Sequence, residues 1–364
     1  MTAPAPPRTF LDTPRKSAGI VAALLALLLA LSLGGKFFAD VRDRARRVAD
    51  LQALADQQQR TGQFADAWTS LQQAAEAAAE GSALARLIGR GGTQRLALKV
   101  AREDLAMAWL ESWLPPAKPL PLAAAVAPTL AAGAAAATGA RKADLLAHLG
   151  WEAALRAGPG AEDASVAAPE SFYRQAIDAD PANPYAHAYW GHWLAAEEML
   201  GEASSRFEAA LASGRARAHV RAVQLAAFQL HNSHAVGAAY IAAVADMIRN
   251  REPVDAAVGD RVYTLYAFTF DGEAPFAQLT AALPPTEQIA LVRALFVDAA
   301  DRGRSDRVAM AYSWLARLQE AAGDRDGALA SWRAVLAALP PAAPGPLANR
   351  ARAAVAATHP ALLR

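Results

Sequence analysis

Histidine pairs are where a bound metal or a general base would first show in this chain. His231 and His234, within LHNSHAVG, stand three apart, a spacing at which two imidazoles can share an ion. No acidic residue stands near them in sequence, and the same residues suit a polar turn between two helices. His187 and His192 are five apart, so on a helix they point in different directions. The glycine-rich GRGGTQR, from Gly89 to Arg95, could cradle an anion with backbone N–H groups and Arg90 or Arg95. It matches neither the phosphate-loop nor the dinucleotide pattern, no strand precedes it, and a flexible turn is the plainer reading. There is no G-x-S-x-G elbow and no H-E-x-x-H helix, and Glu197-Glu198 reads as the solvated face of a helix. These residues predict no catalytic site, no metal and no cofactor, so a non-enzymatic protein is expected.

The totals narrow the field in the same direction. Among 364 residues, 36 Lys plus Arg balance 35 Asp plus Glu, leaving no basic excess to neutralise a run of phosphates, so nucleic acid is not an expected partner. No cysteine occurs, which excludes disulfides, thiolate metal sites and a cysteine nucleophile. Hydrophobic residues make up 54%, enough to bury a sizeable core, and alanine, the best intrinsic helix former, dominates them. An all-α body follows.

Between Lys16 and Lys36 run nineteen uncharged residues, SAGIVAALLALLLALSLGG, long enough as a helix to cross a hydrocarbon core of about 30 Å. One N-terminal transmembrane helix is the direct reading; a cleaved signal peptide is the alternative, although its apolar region usually spans only about 7 to 15 residues. Counted strictly, Lys36, Arg42, Arg44, Arg46 and Arg47 after the span outweigh Arg8, Arg15 and Lys16 before it, which would keep the body in the cytoplasm. The compact Arg15-Lys16 pair directly before the apolar run is the arrangement of a signal anchor, and on it we expect a cytoplasmic N-terminus with an exported, periplasmic body. A second uncharged stretch, Pro119 to Ala140, is too rich in alanine, glycine and proline to favour lipid, and predicts a linker followed by a weakly packed alanine helix.

Beyond the span, Phe37, Val41, Val48, Leu51 and Leu54 recur at helical spacing, so the membrane helix should continue into an amphipathic one. Three later segments share one register. Trp190, Gly191, Leu194, Ala203, Phe207 and Ala210 fall at offsets 0, 1, 4, 13, 17 and 20. Leu315-Ala316, Gly323, Ala328, Trp332, Val335 and Pro340 follow the same scheme, as do Leu54-Ala55, Gly62, Ala67, Leu71 and Ala74. Small residues at Gly191 and Ala203 would let two antiparallel helices approach, while Trp190, Leu194 and Phe207 fill the seam. FYRQAIDADP, with Tyr173, Ala176 and Pro181, supplies the second half of a further unit whose first helix would hold Leu149-Gly150. Most of the eight tryptophans are explained by such packing. RAHVRAVQLAAFQL, HAVGAAYIAAVADMIRN and TEQIALVRALFVDAADR read as amphipathic helices of more divergent hairpins.

These offsets resemble the tetratricopeptide repeat (TPR) family, strongly in two units and weakly elsewhere, with departures at Arg215, where proline usually closes the second helix, and in the long insertion around residues 76–140. The resemblance implies an α-solenoid of antiparallel helix hairpins whose first helices line a groove that grips a protein partner. On that register Tyr185 and His192 would face the groove in the clearest unit, Gln52, Asp56 and Gln59 in the first, and Arg317 and Glu320 in the last. The expected layout is a tail (1–16), the span (17–35), an amphipathic helix with the first unit (36–114), a Pro/Ala-rich linker (115–140), the solenoid (141–340) and a C-terminal capping helix or tail (341–364). It reads as an inner-membrane scaffold for protein partners of an envelope assembly, with no small-molecule substrate, or alternatively as a subunit permanently built into a larger membrane complex.

Overall fold

The computed structural model describes residues 14–80, 91–115, 122–157, 168–231, 233–268, 284–293 and 305–358. Every regular element among them is helical, as the alanine-rich composition predicts. The chain divides into two compact units, one holding the helices up to residue 179 and one holding those from residue 184 onward.

The first unit opens with α1, Pro14–Arg60, a single helix of 47 residues. It passes through Gly34-Gly35 without a break, and nothing lies within 4 Å of where their side chains would stand. Val21, Leu24, Leu25 and Leu28 are exposed along its first half, which is long and apolar enough to span a membrane. Past Lys36 the same helix becomes amphipathic, buries Val48 and Ala55, and turns at Gly62 into α2, Phe64–Ala79. Then come α3, Gly91–Glu111, α4, Val126–Ala136, α5, Gly139–Ala157, and α6, Pro169–Ala179.

The weakly packed alanine helix expected after residue 119 is a packed one. Val126, Leu130 and Ala134 of α4 are buried, and the bare Cα of Gly133 abuts Glu103 of α3, where a Cβ would come within 2.7 Å of the carboxylate. Small residues, unattractive to lipid, here permit close approach of helices. α5 is tied to α3 by polar bonds: Arg141 Nη2 donates to Glu103 at 2.8 Å, and Trp151 Nε1 donates to the Leu110 carbonyl at 3.3 Å. α6 lays Tyr173 directly over Gly150 of α5, where a Cβ would sit 2.5 Å from the ring.

The second unit contains α7, Pro184–Ala196, α8, Leu200–Ala212, α9, Arg217–Ala227, α10, His234–Arg249, α11, Ala256–Phe268, and α12, Pro285–Val292. It ends with α13, Ser305–Ala322, α14, Arg325–Ala338, and α15, Pro346–Thr358. α15 opens on Pro346, whose missing N–H costs nothing at a helix start, buries Ala348, and joins Ala351 and Val355 with Trp332 and Val335 of α14 in one cluster.

Three hairpins, α1/α2, α7/α8 and α13/α14, close in the same way. Eight residues after the first register position stands a residue in the left-handed conformation: Gly62 at φ 76°, Glu198 at φ 61° and Gly323 at φ 78°. The next N–H reaches back five residues, Gln63 to Gln58, Met199 to Leu194 and Asp324 to Gln319, at 2.8, 2.9 and 2.8 Å. That reversal satisfies carbonyls a helix end would otherwise leave bare. Across each seam the small residues meet as the spacing predicts. Ala55, Ala67 and Ala74, then Ala203, Phe207 and Ala210, then Ala316, Ala328 and Val335 are all buried, and a Cβ on Gly191 would lie 3.1 Å from Phe207. Where the TPR pattern has proline at Arg215, the chain instead turns through Gly214 at φ 70° and Ala216 at φ 48° before α9 begins.

Candidate partner-binding surfaces

The residues expected to face a groove meet different fates. Tyr185 is half-buried, with its ring centroid 6.1 Å from Tyr189 and 5.8 Å from His219 of α9. Tyr189 Oη and His219 Nε2 lie 2.9 Å apart, so α7 and α9 are joined by an aromatic and hydrogen-bonded contact. His192, on the same helix, is only 7% exposed. Burial holds its pKa down to about 4, so at neutral pH it is an uncharged packing group and not a side chain presented to a partner. The repeat register placed it on the groove face; in the folded hairpin it is buried.

In the last hairpin Arg317 is half-buried and Glu320 exposed. Glu320 accepts a hydrogen bond from Trp332 Nε1 at 2.6 Å and lies 3.6 Å from Arg350 of α15, so it links three successive helices. In the first unit Gln52 and Gln59 are half-buried and Asp56 is exposed. Their neighbour Gln58 accepts a hydrogen bond from Ser70 Oγ at 2.8 Å, and Gln319 receives the same bond from Ser331 Oγ at 2.6 Å at the same two register positions of the last hairpin.

The histidine pair resolves differently. His231 Nε2 lies 3.1 Å from the Ala196 carbonyl, and folding brings Glu198 to within 4.0 Å of Nδ1, an acidic neighbour absent from the local sequence. Ser233 caps α10 by accepting from the Val236 N–H at 3.2 Å, so the segment is a helix-capping turn. The side chain of His234 lies outside the described residues, as do Gly89 and Arg90. Among the described residues, no three His, Asp or Glu side chains converge as a metal site would need.

A charged cleft between α9 and α11 was not foreseen. Arg221, buried in α9, donates from Nε and Nη2 to Glu252 at 2.9 Å each and from Nη1 to Gln224 at 2.8 Å, and it also pairs with Asp246 of α10. Arg217, one turn earlier, donates to the same Glu252 at 2.6 and 2.9 Å. Glu252 reaches them because Arg251, at φ 56°, reverses the chain after α10. Beside this floor opens a cleft of about 620 Å³ with apolar walls that include Leu225, Met247, Val254 and Val258. Burial works against the charged form of each group, yet the mutual bonds prevail: Arg221 is raised, and Asp246 and Glu252 are held below their ordinary values. Such a floor stays charged through the neutral range, and apolar walls over fixed, paired charges suit recognition.

Sequence reading could register Arg217 and Arg221 only as an i,i+4 pair on a helix face. Their carboxylate partners lie 25 to 35 residues away on another element, and only the left-handed turn at Arg251 reveals the pairing. No protein-family model matches this sequence, and no curated protein matches it either.

Proposed function

We propose that this chain is a non-catalytic scaffold of TPR-like helical hairpins, tethered by α1 to the inner membrane, whose body lies in the periplasm and holds a protein partner of an envelope assembly. The observation that carries this reading is the recurrence of one hairpin geometry at one register in α1/α2, α7/α8 and α13/α14, together with the direct continuation of the apolar helix into the first of them. Repeated hairpins offer repeated faces, so modest contacts add along the array instead of concentrating in one site. Tethering then confines partner and scaffold to one surface, which raises their effective concentration. In this reading the Arg217–Glu252 cleft seats an apolar side chain of the partner, and Tyr185, Arg317 and Glu320 extend the contact.

Extraction of the full chain from membranes in mild detergent, followed by a salt wash of about 0.5 M, tests it. A scaffold of this kind recovers a partner at low salt, sheds it in the wash, and loses it in Val254→Glu, which places a charge in the cleft wall. A partner retained through the wash, indifferent to Val254→Glu, marks instead a subunit permanently built into a complex.

A further inference from the structure

Outside the apolar half of α1, one ridge of large aliphatic side chains stands exposed among the described residues. Leu96 and Val100 of α3 are 62% and 40% exposed. As an i,i+4 pair they share one face of the helix, about 5 to 6 Å apart. A single exposed leucine is ordinary on a protein surface, but two aliphatic groups on one turn make a projection that gains by entering an apolar recess. Lys99, its side chain 42% exposed, borders the same ridge and lies 3.8 Å from Glu103.

The recess of matching character is the cleft between α9 and α11 of the second unit. Its volume of about 620 Å³ accommodates a leucine and a valine side chain together, and Leu225, Met247, Val254 and Val258 give it an aliphatic lining. The charges of its floor are matched within the protein: Arg217 and Arg221 direct their donors to Glu252, Asp246, Gln224 and the Leu211 carbonyl. A side chain entering the cleft therefore needs no charge of its own at the floor. Asp255 in the lining is different, because it is exposed and neither floor arginine engages it; its Oδ1 accepts the Val258 N–H at 2.8 Å. An aliphatic pair with a cation on its flank is what such a recess fits, and Leu96, Val100 and Lys99 present that combination.

We infer that the occupant of this cleft is a second copy of the chain, with Leu96 and Val100 of one copy seated between α9 and α11 of the next and Lys99 against Asp255. The inference rests on the scaffold reading, and it names the partner at the cleft. Ridge and recess are different surfaces, so the contact is heterologous: a pair leaves one ridge and one cleft unused, and further copies add at both ends. The aliphatic contact supplies the affinity, and the charge pair at the rim fixes which way the ridge enters. Tethering by α1 holds every copy in one membrane, where a contact too weak to persist in dilute solution is populated.

The full chain with a photoreactive residue replacing Val254, reconstituted in liposomes beside a differently tagged copy, tests the inference. Illumination should join the two tags in one adduct that maps to α3 of the second copy. Leu96→Ser/Val100→Ser in the second copy should cut that adduct more than about tenfold, and Lys99→Glu there severalfold. The same serine pair placed instead in the copy that carries the photoreactive residue should leave the adduct at least as strong, because that copy contributes the cleft. All three side chains are exposed or border solvent, so helical content and unfolding midpoint should match those of the unsubstituted chain. Loss of the adduct whichever copy carries the serines, no loss in either arrangement, or an adduct joining residue 254 to α3 of its own chain overturns the inference. A discrete adduct with another protein in cells, without one between copies, also overturns it and leaves the scaffold reading standing. No adduct of either kind removes both.

Discussion

Enclosing His192 gives the second unit a pH response that can be worked out. Its folded pKa, about 4, lies below the unfolded value of 6.5, so between these limits the unfolded chain takes up a proton that the folded chain refuses. The stability involved is therefore complete above pH 6.5 and is lost as pH falls towards 4, at about 1.4 kcal/mol per unit and on the order of 3 kcal/mol in all. Denaturant unfolding across pH 6.5 to 4.5 should show this slope, and His192→Leu should flatten it; an unchanged slope in the variant would mean that the proton uptake belongs elsewhere. Below about pH 4.5 the depressed carboxylates Asp246 and Glu252 begin to add their own loss, which is why the upper part of the window isolates the histidine. At this scale the sequence was legible where packing alone decided, as at Gly191, Ala203 and Phe207. It misled where two equally helical positions differ only in what folds over them, as with His192 and the half-buried Tyr185.

Helix closure is the property most faithfully repeated among the elements. Gly62, Glu198 and Gly323 occupy one register position and one left-handed conformation, but only two of them are glycine. A side chain held there costs roughly 1 to 2 kcal/mol. Glu198→Gly should thus stabilise the second unit by about 1 kcal/mol and Gly323→Ala should weaken it by a similar amount, read as opposite shifts in the chemical unfolding midpoint. Shifts of the same sign would show that side-chain contacts, not backbone strain, rule these turns. The turn positions were visible in the chain at Gly62 and Gly323, where glycine announces them. Glu198 carries no such mark, and neither does Arg251, so the cleft floor it organises stayed hidden. The packing of α4 was missed for a related reason: an alanine and glycine helix has no strong apolar face to read, and its fit depends on Glu103 lying opposite Gly133.

For the whole molecule, one continuous helix from Pro14 to Arg60 joins a segment suited to lipid with the first of the recurring hairpins. This is the link between architecture and the proposed role, because a scaffold built onto its own anchor carries any bound partner to the membrane surface. The apolar run and the hairpin register were plain in the sequence; what the body holds was not, since the surfaces that would do so are assembled from residues on separate helices. Site-specific photocrosslinking in intact cells addresses that role directly. A photoreactive residue replacing Val254 in the cleft wall should give one discrete protein adduct, confined to the membrane fraction, while the same residue at the exposed Arg333 of α14 should give none. Adducts of equal yield and pattern from both positions, or a chain that crosslinks only in the soluble fraction, would contradict a membrane-tethered scaffold with a defined partner surface.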